Sequence, residues 1–238
     1  TSGSGGSHPS RRARPTPGTS YGLSEISPVT VTTIHDDAET QIRTSGRVPP
    51  CNQAWIADAN GNRLGAGEEG EIYVRGPGLA LGYLRRPEAN AAAFPEPGLF
   101  RTGDLGFMDE RGRLHLTGRS KDVIDRGGIK FSPREVEEML LTYPGIHNVA
   151  VVGMPDARLG ERSCAFIVPT DPAAPPPELP AVVDFLRAQG LATHKLPERL
   201  EIVAELPTTI TGKVQKYILR QQIADKLQMA SQETRRTG

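Results

Sequence analysis

The spacing of the apolar residues changes near Gly118, and that change constrains the fold more than any other feature of the chain. Before it, short β-branched or alternating runs stand between turn residues: Val29–Ile34, Gln53–Ile56, Glu71–Arg75 and Arg113–Gly118. Each has the length and flanking residues of a strand. Ile72 and Val74 alternate with polar neighbours, Asn60-Gly61 marks a turn, and Pro87–Phe94 (PEANAAAF) has the proline-first, alanine-rich character of one short helix. After Gly118, helical and strand patterns interleave. Ser132-Pro133-Arg134-Glu135 has the spacing of a capping box with proline at the first helical position, and Val136, Met139, Leu140 and Tyr143 follow at helical intervals. This predicts a helix over 133–143. Asn148–Met154 and Ser163–Val168 read as strands, and 169–180 as a proline-rich loop. Ala181–Gln189 reads as a helix stopped by Gly190, Glu201–Val203 as a strand, and Gln215–Leu227 as a helix with Leu219, Ile223 and Leu227 on one face. The predicted class is α+β: a β-rich segment over 21–118, then a compact α+β domain over 119–238. Gly118–Asp122 is the candidate hinge between them.

Residues 1–20 contain no Leu, Ile, Val or aromatic residue. They cannot anchor to a core and are expected to be flexible. The Arg- and Ser-rich, acid-free start also suggests an organelle transit peptide, but three prolines and no apolar face argue against the helix such a peptide requires. The 238 residues leave room for one large domain or two ordinary ones. Lys+Arg and Asp+Glu both number 28, so no electrostatic footprint points to nucleic acid or an anionic membrane. No apolar run approaches the roughly 18 residues of a membrane helix, and a soluble, cytoplasmic protein is expected. Cys51 and Cys164 lie far apart without metal-ligand or CxxC spacing, so both are expected to be reduced and structural.

Five segments, in order, carry a resemblance: YGLSE at 21–25, GEEGEIYVRGPGLALGYL at 67–84, FRTGDLG at 100–106, LTGRSKDVIDRGGIKFSPREVEE at 116–138 and TTITGKVQK at 208–216. Together they resemble the ordered motifs of adenylate-forming (AMP-binding) enzymes, specifically acyl-CoA synthetases, across 21–220. The resemblance implies that 21–118 is the β-rich end of a large N-terminal portion and 119–238 a small mobile C-terminal domain. It also implies the activity. A carboxylate attacks the α-phosphate of ATP to give acyl-adenylate and pyrophosphate, and a thiol, that of CoA, then takes the acyl group.

By the same resemblance Glu25 contacts Mg²⁺, a hard cation that suits carboxylate oxygen. Tyr21 stacks on adenine, and Gly22 and Ser24 belong to the same nucleotide loop, with Ser24 where Thr is usual. Asp104 accepts the ribose hydroxyls, and Arg119 gives a second ribose or phosphate contact. Lys121 stands at the hinge, with Asp122 the lesser candidate. Gly127, Gly128 and Lys130 form the loop that meets CoA. Lys213 reaches the carboxylate and α-phosphate oxygens during adenylation, while Lys216 stands at the wrong offset. Each residue also has a plainer reading as a turn, cap or surface residue of its segment, and Gly127-Gly128 is equally a simple turn before the helix.

The family's phosphate loop, rich in Ser, Thr and Gly and ending in Pro-Lys, is not matched. Thr1–Gly6 resembles its opening, but Ser7-His8-Pro9 follows; alternatively Gly5-Gly6-Ser7 matches the Gly-Gly-Ala segment that precedes YGxTE. Either way the chain resembles the last half of such an enzyme, with most of the acyl pocket in a missing N-terminal portion. Residues 21–117 are then expected to expose apolar surface, and the isolated chain to be inactive. Two other functions stay open: an adenylation domain that loads a carrier protein, although no carrier sequence follows Leu227, and a binding module without turnover.

Overall fold

The computed structural model describes residues 18–237, so both readings of Thr1–Pro9 lie outside the described residues. The chain divides into two compact units. One runs to Thr102 and includes Gly106–Leu116; the other comprises Gly103–Leu105 and Thr117 onward. The architecture is α+β and strand-rich, as expected.

In the first unit, strands β1 (Ser20–Tyr21) and β2 (Thr30–Val31) pair antiparallel. Strands β3 (Gln53–Ala57), β4 (Gly70–Arg75), β5 (Phe100–Met108) and β6 (Leu114–Arg119) neighbour one another in that order. Ile56, Ile72, Val74, Phe100 and Leu114 join Tyr21, Ile26 and Val29 in one core. Burying such side chains contributes about 1.5–3 kcal/mol each. Helices α1 (Ala38–Arg43) and α2 (Pro87–Ala93) flank the strands.

Several sequence expectations change here. The strand predicted over Val29–Ile34 stops at Val31, because Asp36 Oδ2 accepts from Thr33 N (2.6 Å) and Oγ1 (3.0 Å) and turns the chain outward. Helix α1 was not predicted, although its N-cap Asp37, which accepts from Thr40 N at 2.7 Å, is a readable start signal. Strand β5 escaped because it contains two glycines and an aspartate. Gly106 is there because a Cβ would stand 2.4 Å from His115 O on β6. Thr19, inside the segment expected to be flexible, is held by Thr32, whose Oγ1 accepts from Thr19 N at 2.6 Å.

The second unit is built on β9 (Ile146–Asp156) and β10 (Gly160–Pro169), an antiparallel hairpin. Strand β11 (Arg199–Ile202) joins β10 in parallel, and β7 (Ile124–Arg126) joins it at Gly160 and carries β8 (Ile129–Phe131). Alternate residues point to opposite faces. Val149, Val151, Ala165 and Ile167 pack with α3 (Arg134–Leu140) and α4 (Leu179–Ala188), while Ala150, Val152, Cys164 and Phe166 pack with Leu219 and Ile223 of α5 (Lys216–Thr237). Helix α5 continues past the predicted Leu227, through a stretch with neither Gly nor Pro.

Helix α3 begins at Arg134 without the predicted capping box. Ser132 Oγ instead accepts from Arg134 N at 3.3 Å and stands where a Cβ on Gly118 would be (2.1 Å), and Glu135 pairs with Lys195. Cys164 is fully buried, and burial, helped by Glu201, pushes its thiol up to about 12. Cys51 is exposed and has no packing role, contrary to expectation.

Asp109 organises the β5–β6 turn. Its carboxylate accepts from the amides of Arg111 and Arg113 (both 2.9 Å) and from Arg113 Nε (2.7 Å). Partial burial works against ionisation, but the Arg113 bonds outweigh it and hold the carboxyl well below the usual range. A depressed pKa adds stability above the unfolded value of roughly 4, lost as pH falls through the native value. Asp109→Asn is therefore expected to lower the unfolding free energy of the first unit by about 1–3 kcal/mol at pH 7. In denaturant titrations the difference from the parent should shrink steadily below about pH 4.

Candidate active site

In the first unit the backbone of the Tyr21–Glu25 loop is closed by two bonds between Leu23 and Ile26, N to O at 2.9 and 3.2 Å. Tyr21 is buried in the core, and its carbonyl accepts from Val29 N at 2.8 Å. A Cβ at Gly22 would stand 2.8 Å from Ser27 Oγ and 3.3 Å from its Cα, so the loop closes this tightly only with glycine. Ser24 is exposed and Glu25 half-buried.

Glu25 is oriented from two sides. Its carbonyl accepts from Ala80 N at 2.7 Å, and its Oε1 accepts from the Tyr83 hydroxyl at 2.6 Å. Burial, reinforced by Glu25, pushes the Tyr83 phenol up to about 12, so near neutrality it stays a donor. Asn90 of α2 fixes Tyr83 by accepting from its N (2.6 Å) and donating to its O (2.9 Å). Sequence reasoning missed Tyr83 as a site residue, although it closes the GPGLALGYL segment. Glu25 Oε2 accepts no hydrogen bond among the described residues. One oriented and one open carboxylate oxygen fit a hard cation that takes its other ligands from phosphate and water. Among the described residues no group of three or more His, Cys, Asp and Glu could hold a metal ion alone.

Asp104 lies within strand β5, in the Gly103–Leu105 stretch that belongs to the second unit, not on the turn its Thr-Gly-Asp context allowed. Arg119 Nε donates to Asp104 Oδ1 at 2.8 Å; the carboxylate is buried, whereas 41% of the arginine side chain is exposed. The two residues expected to share the ribose are thus one ion pair. Lys121 sits exposed in a 3₁₀ turn, Ser120–Asp122. Arg220 of α5 donates to Lys121 O (2.9 Å) and to Asp122 Oδ1 (3.0 Å), so Asp122 is engaged, whereas the Lys121 side chain has no ion pair among the described residues.

Gly127 and Gly128 connect β7 to β8 with φ of 65° and 90°, the left-handed pair a two-residue hairpin demands. Lys130 is exposed beside them, across from Asp125. Lys213 also stands on a tight turn. Thr209 N donates to Lys213 O (2.9 Å), Lys213 N to Thr209 Oγ1 (3.2 Å), and Gly212 has φ 79°. Its ammonium is exposed and forms no ion pair among the described residues. Lys216, three residues on, is 2.6 Å from Glu137 Oε1, which also accepts from Val151 N at 2.6 Å. Burial raises the Glu137 pKa, against the opposing pull of Lys216.

Comparison with known sequences gives this arrangement a family. Residues 10–84 match the sequence model of the AMP-binding enzyme, and residues 135–213 that of the AMP-binding enzyme C-terminal domain. The chain belongs to the adenylate-forming, AMP-binding enzyme family. It is similar to 2,3-dihydroxybenzoate-AMP ligase of Bacillus subtilis, 42% identical over 84% of this chain and 36% of that protein. It is also similar to medium-chain fatty-acid–CoA ligase of Escherichia coli, 41% identical over 87% of this chain and 36% of that one. The chain therefore spans about 36% of the length of these relatives. Among solved structures, ATP-bound MatB from Rhodopseudomonas palustris aligns with a TM-score of 0.78 and 36% identity, covering 86% of this chain and 40% of that one.

Within the family domains, Tyr21, Gly22, Ser24, Glu25 and Tyr83 fall in the first matched stretch and Glu137 and Lys213 in the second. The two lysines of the last motif should separate cleanly in stability. Lys216→Met leaves Glu137 buried without its cation, at a cost of about 3–5 kcal/mol. Lys213→Ala should stay within about 0.5 kcal/mol of the parent. Equal losses in denaturant unfolding would contradict this division of roles.

Proposed function

We propose that this chain supplies the last part of an ATP-dependent acid–thiol ligase, an acyl-CoA synthetase working through an acyl-adenylate. In the first half-reaction a carboxylate oxygen of the acid bonds to the α-phosphorus of ATP and pyrophosphate leaves. In the second, the thiol sulfur of CoA bonds to the acyl carbon, the thiol proton is lost and AMP leaves. Lys213 supplies positive charge to the carboxylate and α-phosphate oxygens as negative charge builds between them. Asp104 accepts the ribose hydroxyls, with Arg119 fixing its carboxylate and adding donors of its own. Tyr21, packed in the core of the first unit, is assigned to the adenine side of the site, Gly22 lets the loop close against Ser27, and the exposed Ser24 offers a hydroxyl to phosphate. Glu25 would hold Mg²⁺, which when bound neutralises phosphate charge. Lys121 is the pivot between half-reactions, and Gly127, Gly128 and Lys130 meet the pantetheine arm, where glycine allows close backbone approach.

The observation that carries this reading is the contrast within GKVQK. Lys213 is presented on a hydrogen-bonded turn with no ion pair among the described residues, whereas Lys216 is paired with Glu137. Lys213→Ala in the full-length enzyme should reduce ATP–pyrophosphate exchange about 10²–10³-fold. An unchanged exchange rate would remove Lys213 from adenylation. A second reading, transfer to a carrier protein's thiol, is favoured by the likeness to an AMP ligase. AMP release measured with CoA and with a pantetheinylated carrier protein separates the two: faster release with CoA supports the synthetase, and release only with the carrier supports the alternative.

A further inference from the structure

The Gly127-Gly128 turn is held from outside its own hairpin. Gly127 N donates to Leu159 O at 2.7 Å, in the turn that joins β9 to β10, and Arg126 bridges to Gly160 beside it. Leu159 is itself fixed by Asp156, whose Oδ1 accepts from the amides of Arg158 (3.0 Å) and Leu159 (2.9 Å). From Asp156 a line of alternating charges leads back to the hairpin. Asp156 Oδ2 is 2.6 Å from Arg162 Nε, Arg162 Nε is 3.7 Å from Glu198 Oε2, and Glu198 Oε1 accepts from Arg126 Nη2 at 2.5 Å. Glu198 is anchored in turn by its own N, which donates to Ser163 O at 2.9 Å.

The network is neutral, two arginines against two carboxylates, and more covered than exposed. The turn it braces is open: Gly127, Gly128, Ile129 and Lys130 are exposed, and a Cβ at Gly128 would meet nothing within 4 Å. The bracing therefore fixes backbone geometry and does not serve to bury the tip. Among the described residues Glu198 is the carboxylate that lies near both arginines, hydrogen-bonded to Arg126 and within 3.7 Å of Arg162 without a hydrogen bond to it.

We propose that Glu198 is a positioning residue for acyl transfer: through Arg126 on one side and Arg162 and Asp156 on the other, it holds the Gly127-Gly128 backbone in the shape the thiol arm must pass. This inference rests on the reading of that turn as the thiol-transfer loop. Glu198→Gln keeps the side chain's shape and removes its charge. In the full-length enzyme it should lower the turnover number of CoA-dependent AMP release about tenfold, the scale of one charge-assisted hydrogen bond. ATP–pyrophosphate exchange should stay within about twofold of the parent, and amide hydrogen exchange over residues 124–131 should accelerate. Gly128→Ala, at φ 90°, is the companion variant. If it slows CoA-dependent release while Glu198→Gln changes neither release nor amide exchange, the positioning role is wrong and the loop reading stands. If neither variant slows release, the loop reading fails and takes the inference with it. Equal loss of both half-reactions in Glu198→Gln would make the network a general brace and overturn the proposal.

Discussion

Strands β9 and β10 are apolar on both faces, and the rest of the second unit follows from covering them. Val149, Val151, Ala165 and Ile167 need a layer on one side, and Ala150, Val152, Cys164 and Phe166 a layer on the other. Helices α3 and α4 supply the first and α5 the second. Once α5 is fixed by Leu219 and Ile223, its first turn has little freedom. Lys216 then meets Glu137 of α3, which also accepts from Val151 N in the middle of β9, and Arg220 meets the Ser120–Asp122 turn. Lys121, Gly127-Gly128 and Lys213 lie on connections between the elements of this unit. This is the usual division of labour between a packed scaffold and the loops it presents.

The charged residues divide by the same logic. Those that face the scaffold are paired, as with Lys216 and Glu137, Arg126 and Glu198, and Arg220 and Asp122. Lys121 and Lys213 stand exposed on turns, and Lys130 stands exposed on β8 beside one. A paired, partly buried cation has already committed its charge, because separating it strands a carboxylate in a poorly solvated place. An exposed one can change partner at little cost. The contrast gives a structural basis for reading the three exposed lysines as the working ones.

Much of this was legible in the sequence. The change of period near Gly118 foreshadows two kinds of structure, and the β-branched runs at 148–154 and 163–168 contain the hairpin that carries the second unit. What escaped has physical causes. Strand β5 carries its glycines and Asp104 because close strand packing at Gly106 and the pairing of the buried Asp104 carboxylate with Arg119 override strand propensity. Ser132 looked like a helix cap, but its hydroxyl occupies the space left by Gly118, a contact between residues fourteen apart. Tyr83 was invisible as a site residue because its partner, Glu25, is 58 positions away. In each case the deciding interaction is long-range, and a local pattern carries no trace of it.

The proposed ribose contact rests on Asp104 and Arg119, a buried carboxylate already paired with its arginine. Calorimetric titration of the full-length enzyme with AMP tests this most directly, comparing the parent with Asp104→Asn. A one-to-one complex in the parent, weakened at least about tenfold by the substitution, is the predicted result, since a hydrogen bond to a charged group contributes about 1.5–3 kcal/mol. Equal affinity in the two proteins, or no AMP binding to the parent, would contradict the account.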